Sequence, residues 1–96
     1  MGQKAIRLGT DLSTGHSGYF PVVPAQASTN VLVNGKGSVR SGDAYKPHWK
    51  PKKPPHVGKA TSSSSVRVNG KPAQRAGDGN SCGDTASNGS SNVRFG

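Results

Sequence analysis

His16, His48, His56 and Cys82 are all the histidines and the one cysteine of the chain. Three neutral imidazoles and a thiolate make a complete tetrahedral donor set for zinc, one that is closed to water and therefore structural. Local spacing argues the other way. There is no Cys-x-x-Cys or His-x-x-x-His pair, loop histidines are commonly solvated, and a lone cysteine commonly packs as a small hydrophobe. What favours convergence is where the donors fall relative to a repeat. His16 stands five residues after Asp11, His48 five after Asp43, and Cys82 four after Asp78. His56 has no such counterpart. The eight-residue spacing of His48 and His56 lets the two face each other across a turn-containing loop.

The elements that must position these donors are copies of one unit. Residues 28–43 read S-T-N-V-L-V-N-G-K-G-S-V-R-S-G-D and residues 63–78 read S-S-S-V-R-V-N-G-K-P-A-Q-R-A-G-D, an offset of 35 with nine of sixteen positions identical, Ser28 aligning with Ser63. Such a period marks a repeated supersecondary unit. Alternate valines put β-branched side chains on one face of a strand. The Asn-Gly that follows is the strongest short-range hairpin signal, because a type I′ turn needs two residues at positive φ. Each copy is therefore a β-hairpin that closes on R-x-G-D.

A third copy is split between the chain ends. Arg7-Leu8-Gly9-Thr10-Asp11 is the R-x-G-D half with one insertion, and residues 90–96, S-S-N-V-R-F-G, supply the S-x-N-V-x-V half. The expectation is that the last strand pairs with the opening segment and closes three equivalent units around an axis. His16, His48 and Cys82 would then meet near it. Residues 5–12 are read as a short strand with Ile6, Leu8 and Leu12 as its apolar members, and Thr14-Gly15-His16 as a turn. Tyr19 and Phe20 are expected to pack beside His16 and cover it, with a solvated loop as the alternative. Residues 61–65 and 84–92 read as linkers. Gly or Pro interrupts every helix-friendly window, so the chain is all-β with no helices, in a single domain spanning 1–96.

Composition sets the difficulty. The 96 residues carry a formal charge of +9, Gly 14, Pro 7 and only fifteen Ile, Leu, Val and Phe. That profile by itself describes a disordered basic chain. A chain so poor in apolar surface needs a staple if it folds. One cysteine excludes an internal disulfide, which leaves a metal or a partner surface. Residues 1–12 hold no apolar run suited to a signal peptide or membrane span, and Ile6 stands where myristoylation expects Ser or Thr. The expected protein works inside the cell that makes it or leaves without a cleaved signal.

Residues 44–60, A-Y-K-P-H-W-K-P-K-K-P-P-H-V-G-K-A, form an extended, strongly basic loop. One reading is a stiff arm that delivers His48 and His56 to a metal. The alternative function is a basic single-stranded nucleic-acid binder, with Trp49 stacking on bases and the lysines of 45–59 on phosphates. No catalytic arrangement is legible. All four acids are aspartates, and Asp11, Asp43 and Asp78 share one repeat position, which suits turn capping or pairing with arginine better than acid–base work.

The pattern S-x-N-V-x-V-N-G-K-P-A-Q-R-A-G-D, together with Thr14-Gly15-His16 and the truncated S-x-N-V-x-F ending, resembles the PAAR-repeat proteins. Their Pro-Ala-Ala-Arg is here Pro72-Ala73-Gln74-Arg75, and the first copy keeps Arg40 alone. The likeness spans essentially the whole chain and is closest to the stand-alone spike-tip proteins of contractile-tailed phages of the T-even type. The resemblance implies a small cone of short hairpins with pseudo-threefold symmetry. A metal, zinc before iron, would be held near the apex by His16, His48, His56 and Cys82. It also implies a non-enzymatic structural tip, monomeric on its own. One molecule would cap a trimeric β-helical spike that is driven through a cell envelope by a phage tail baseplate or a type VI-like secretion machine. Small-molecule substrates are not expected, and nucleic acid is disfavoured. The lysine- and proline-rich stretch 50–55 has no assigned role.

Overall fold

The computed structural model describes residues 2–16, 18–51 and 53–95, without the side chains of Trp49 and Lys53. Among the described residues there is no helix, and so none long and apolar enough to cross a membrane. The strands are very short: β1 (Gln3–Lys4), β2 (Leu32–Val33), β3 (Lys36–Gly37), β4 (His48–Lys50), β5 (Lys53–His56), β6 (Arg67–Val68), β7 (Lys71–Pro72) and β8 (Arg94–Phe95). They pair antiparallel as β2–β3, β4–β5, β6–β7 and β1–β8.

The two complete repeats are hairpins, as their sequences predict. Asn34 and Gly35 have φ of 54° and 80°, and Asn69 and Gly70 have 54° and 79°. Both central residues of each turn are thus left-handed, which is the type I′ geometry that matches strand twist. The split copy closes as well. Gln3 lies opposite Phe95 and Lys4 opposite Arg94, and the Ala5 N–H donates to the Val93 carbonyl at 2.9 Å. Gly96, the last residue of that half, lies outside the described residues.

One clamp recurs in all three units. Asp11 Oδ2 accepts from the Arg7 N–H and Nε at 2.8 Å each, while Oδ1 accepts from Nη2 at 2.8 Å. Asp43 takes the same three bonds from Arg40 at 2.8–2.9 Å. Asp78 takes them from Arg75 at 2.8–3.0 Å. These are bidentate, charge-assisted pairs, so they fix the orientation of the turn as well as adding energy. The hydrogen bond to Asp raises the pKa of each guanidinium, with the Coulombic pull of the same carboxylate adding to it and desolvation opposing it. Gly42 (φ 94°) and Gly77 (φ 96°) occupy the penultimate turn position, where a type II turn demands positive φ.

The units interlock head to tail. Arg7 pairs with Ser38, Arg40 with Ala73, and Arg75 with Ala5. Beside these, the Val39 N–H donates to Ile6 (3.1 Å), Gln74 to Val39 (2.9 Å) and Ile6 to Gln74 (3.4 Å), a closed ring of three backbone hydrogen bonds. Ile6, Val39 and Gln74 are all fully buried. Gln74 is the residue that replaces the second Ala of the Pro-Ala-Ala-Arg pattern. Its amide is fully engaged: Oε1 accepts from Tyr45 Oη at 2.6 Å, and Nε2 donates to Asn80 Oδ1 at 2.9 Å. Burial, reinforced by Asp84, Asp11 and Asp78, pushes the Tyr45 phenol far above its ordinary range, so it stays a donor. Ile6, Val39, Tyr45, Ala60 and Ala86 form the small apolar core.

Several expectations need correction. Residues 5–12 are not a strand with one apolar face. Ala5 and Ile6 are both buried, while Leu8 and Leu12 are 37% and 43% exposed, because this segment is sandwiched between units rather than laid on a sheet. Ser63 is exposed, and Ser64 takes the part of Ser28. Its Oγ accepts from the Val66 N–H as Ser28 does from Val31 and Ser90 from Val93. The second unit reaches its strand with one residue fewer. The two linkers are also load-carrying structure: Ser62 Oγ donates to the Ala73 carbonyl at 2.7 Å, and Ser64, Asp84, Ala86 and Ser90 are buried.

Asp43→Ala leaves the Arg40 guanidinium and its N–H without their shared acceptor. Urea denaturation should show a loss of about 1.5–3 kcal/mol, with an unchanged m-value.

Candidate metal centre

Each R-x-G-D turn is followed by a hairpin that carries a donor. In the first, the Ser13 N–H donates to Val22 (2.8 Å), and His16 pairs with Tyr19 through bonds in both directions (3.3 and 2.7 Å). The turn therefore falls after His16, not at Thr14-Gly15-His16. Gly15 precedes it at φ 77°, and a Cβ there would lie 2.6 Å from the Tyr19 carbonyl oxygen, so the Thr-Gly-His element needs its glycine. In the second hairpin, β4 and β5 place His48 directly opposite His56, which puts both imidazoles on one face. In the third, Gly79 pairs with Thr85, and the Gly83 N–H donates to the Asn80 carbonyl at 3.0 Å, with Cys82 in the turn between. Neighbouring hairpins are stitched by Thr14 to Thr85 (2.9 Å), Lys46 to Val23 (3.0 Å) and Thr61 to Gly79 (3.0 Å).

The result brings together all four residues singled out from the sequence. The donor atoms of His16, His48, His56 and Cys82 all lie within 4.8 Å of one another. The three Nε2 atoms are separated by 3.2, 3.1 and 2.7 Å, and Cys82 Sγ lies 3.8 Å from His48 Nε2. His48 Nδ1 donates to the Phe20 carbonyl at 3.0 Å. In the neutral ring that bond leaves Nε2 as a bare lone pair aimed at its neighbours. A triangle of ring nitrogens cannot satisfy itself, since each N–H serves one partner and the rest face lone pair to lone pair. A cation at the centre satisfies all three and the thiolate together. Tetrahedral zinc would set nitrogen–nitrogen spacings of about 3.3–3.4 Å, close to the 3.2 and 3.1 Å from His16 and wider than the 2.7 Å between His48 and His56, which would have to part slightly to hold a metal ion.

The surroundings hold the donors in place. The Tyr19 ring stacks on His16 at 5.2 Å and 20°, and its centroid is 4.1 Å from that of His56. The Lys50 ammonium lies over the Tyr19 ring, 5.7 Å from its centroid. Phe20 was expected to help cover His16. Its side chain is instead 58% exposed and its backbone does the work. Gly58 gives the thiolate room, because a Cβ there would come within 2.5 Å of Cys82 Sγ. Sequence reasoning missed Gly58, the Phe20 carbonyl and Asp84. Asp84 did carry a signal, as the one aspartate with no R-x-G before it. Its Oδ2 lies 3.7 Å from His48 Nδ1. The stacking role expected of Trp49, and the parts of Lys52 and the Lys53 side chain, lie outside the described residues.

The PAAR motif family model matches residues 10–88 of the chain. The chain belongs to the PAAR motif family. No curated protein sequence matches it. Membership is consistent with a spike-tip protein of a contractile injection system. The matched span contains both complete hairpins and all four donors, while the β1–β8 hairpin that closes the ring lies outside it.

Gly58→Ala should push the Cys82 sulfur out of the cluster and weaken divalent-metal binding by about tenfold or more in chelator competition. Gly79→Ala, whose Cβ would meet its nearest neighbours at 3.8 Å, should leave binding unchanged.

Proposed function

We propose that this chain, as one domain over residues 1–96, is the tip of a contractile injection apparatus. In this reading it is a metal-stapled, non-enzymatic cap that closes and sharpens a trimeric β-helical spike for passage through a target cell envelope. The observation that carries the reading is the convergence of His16, His48, His56 and Cys82 within a PAAR motif chain. Zinc is the preferred ion, because three imidazoles and one thiolate form a borderline-soft, four-coordinate set with no position left for water. Bound there, it cross-links three hairpins that share little apolar surface.

The closed ring of Ile6, Val39 and Gln74 and the three Arg–Asp clamps support a pseudo-threefold axis through the molecule. On that reading the body is a cone with the metal at its apex and the Asn-Gly turns toward its base. A monomer with three similar faces matches a true trimer and leaves no site for a second copy. Charge points to anionic surroundings. Asp11, Asp43 and Asp84 are buried and Asp78 is clamped by Arg75, so the acids are used internally. Lys36, Lys46, Lys59, Lys71, Arg67 and Arg94 all remain exposed. The tip of a virion tail baseplate and that of a secretion-system spike are equally served by this design.

Native mass spectrometry of the tip mixed with its trimeric spike should give one tip per three spike chains. Two or three tips per trimer would contradict the proposal. Separately, the isolated tip should carry one zinc, and a strong chelator should markedly lower its urea midpoint.

A further inference from the structure

Asp84 is 1% exposed, yet among the described residues neither lysine nor arginine pairs with it. Its Oδ1 is held by Thr14 Oγ1 (3.1 Å) and the Thr85 N–H (2.8 Å). Its Oδ2 is buried with no hydrogen-bond partner and lies 3.7 Å from His48 Nδ1. A buried carboxylate with one bare oxygen is costly unless positive charge is nearby. The other three aspartates each have their arginine.

We propose that Asp84 is a positioning residue of the cation site, supplying its missing charge and steadying His48 from behind. The inference rests on the reading that the four donors hold a divalent cation. Such a cation with three neutral imidazoles and one thiolate keeps a net charge of +1, and the Asp84 carboxylate brings the buried total to zero. A cation on Nε2 draws electron density from the ring and makes Nδ1–H a stronger donor. That hydrogen is taken by the Phe20 carbonyl at 3.0 Å, and the Oδ2 charge stands behind the same nitrogen at 3.7 Å, an electrostatic contact without a hydrogen bond. The contact extends across the fold, since Asp84 belongs to the Cys82 hairpin and is gripped by Thr14 of the His16 hairpin. One carboxylate thus ties all three donor-bearing loops to the charge they share.

The test compares wild type, Asp84→Asn and Thr14→Val by zinc–chelator competition, by cobalt(II) absorption spectra, and by urea denaturation with and without metal. Asp84→Asn should weaken zinc binding about 10- to 100-fold and shift the cobalt ligand-field bands. It should leave the metal-free form no less stable than wild type, because an uncompensated buried charge is gone. Zinc affinity within twofold of wild type overturns the proposal, as does an equal loss of stability with and without metal, which would make Asp84 merely structural. Should Asp84→Asn not accumulate folded, Thr14→Val decides. It loosens the carboxylate without removing its charge, and several-fold weaker zinc binding supports the role while unchanged binding overturns it. A wild type that binds no divalent metal would instead refute the underlying reading of the four donors.

Discussion

Three imidazole nitrogens within 3.2 Å of one another, with a sulfur beside them, repel unless protons or a cation lie between them. The backbone offers no relief, because His48 Nδ1 is committed to the Phe20 carbonyl and its Nε2 has nowhere else to point. Each donor comes from a different post-clamp hairpin, apart from the His48–His56 pair. A cation at this one point would therefore also join the three hairpins, beside the backbone hydrogen bonds that stitch them. A bound cation would offset the cost of assembling the cluster, and metal binding would then be coupled to folding.

Below the cluster, the protein replaces a hydrophobic core with repeated polar geometry. Three guanidinium–carboxylate clamps, three serines that hold strand entries, and a ring of three backbone hydrogen bonds do what leucines and isoleucines do elsewhere. Gln74 illustrates the exchange. It occupies a fully buried place equivalent to Ile6 and Val39 in the ring, and it is tolerated because Tyr45 and Asn80 satisfy its amide. Buried polar groups with partners are a specific way of joining units, because each bond demands one register.

This exchange explains what the sequence could and could not reveal. The Asn-Gly turns, the Arg–Asp closures, the pairing of the two ends and the four donors were legible, since each depends on a residue type with a narrow geometric use. The stability of the body was not. Counting apolar residues pointed toward disorder, because composition cannot tell a solvated serine from Ser28, Ser64 or Ser90, which are buried and bonded. The one-residue offset that gives Ser64 the role expected of Ser63 was hidden for a similar reason: a run of four serines has no internal landmark. Phe20 misled in the opposite sense. Its aromatic side chain suggested packing, while its contribution is a carbonyl oxygen that any residue possesses. Asp84 stood apart from the repeat, and its meaning appears only when the His48 ring is placed beside it.

The central claim is that a metal ion joins His16, His48, His56 and Cys82. X-ray absorption at the zinc edge, on protein purified without chelator, tests it most directly. The account predicts three nitrogen scatterers at about 2.0–2.1 Å and one sulfur at about 2.3 Å. A folded protein that carries no metal, or a bound ion with an all-oxygen shell and no sulfur, would contradict it.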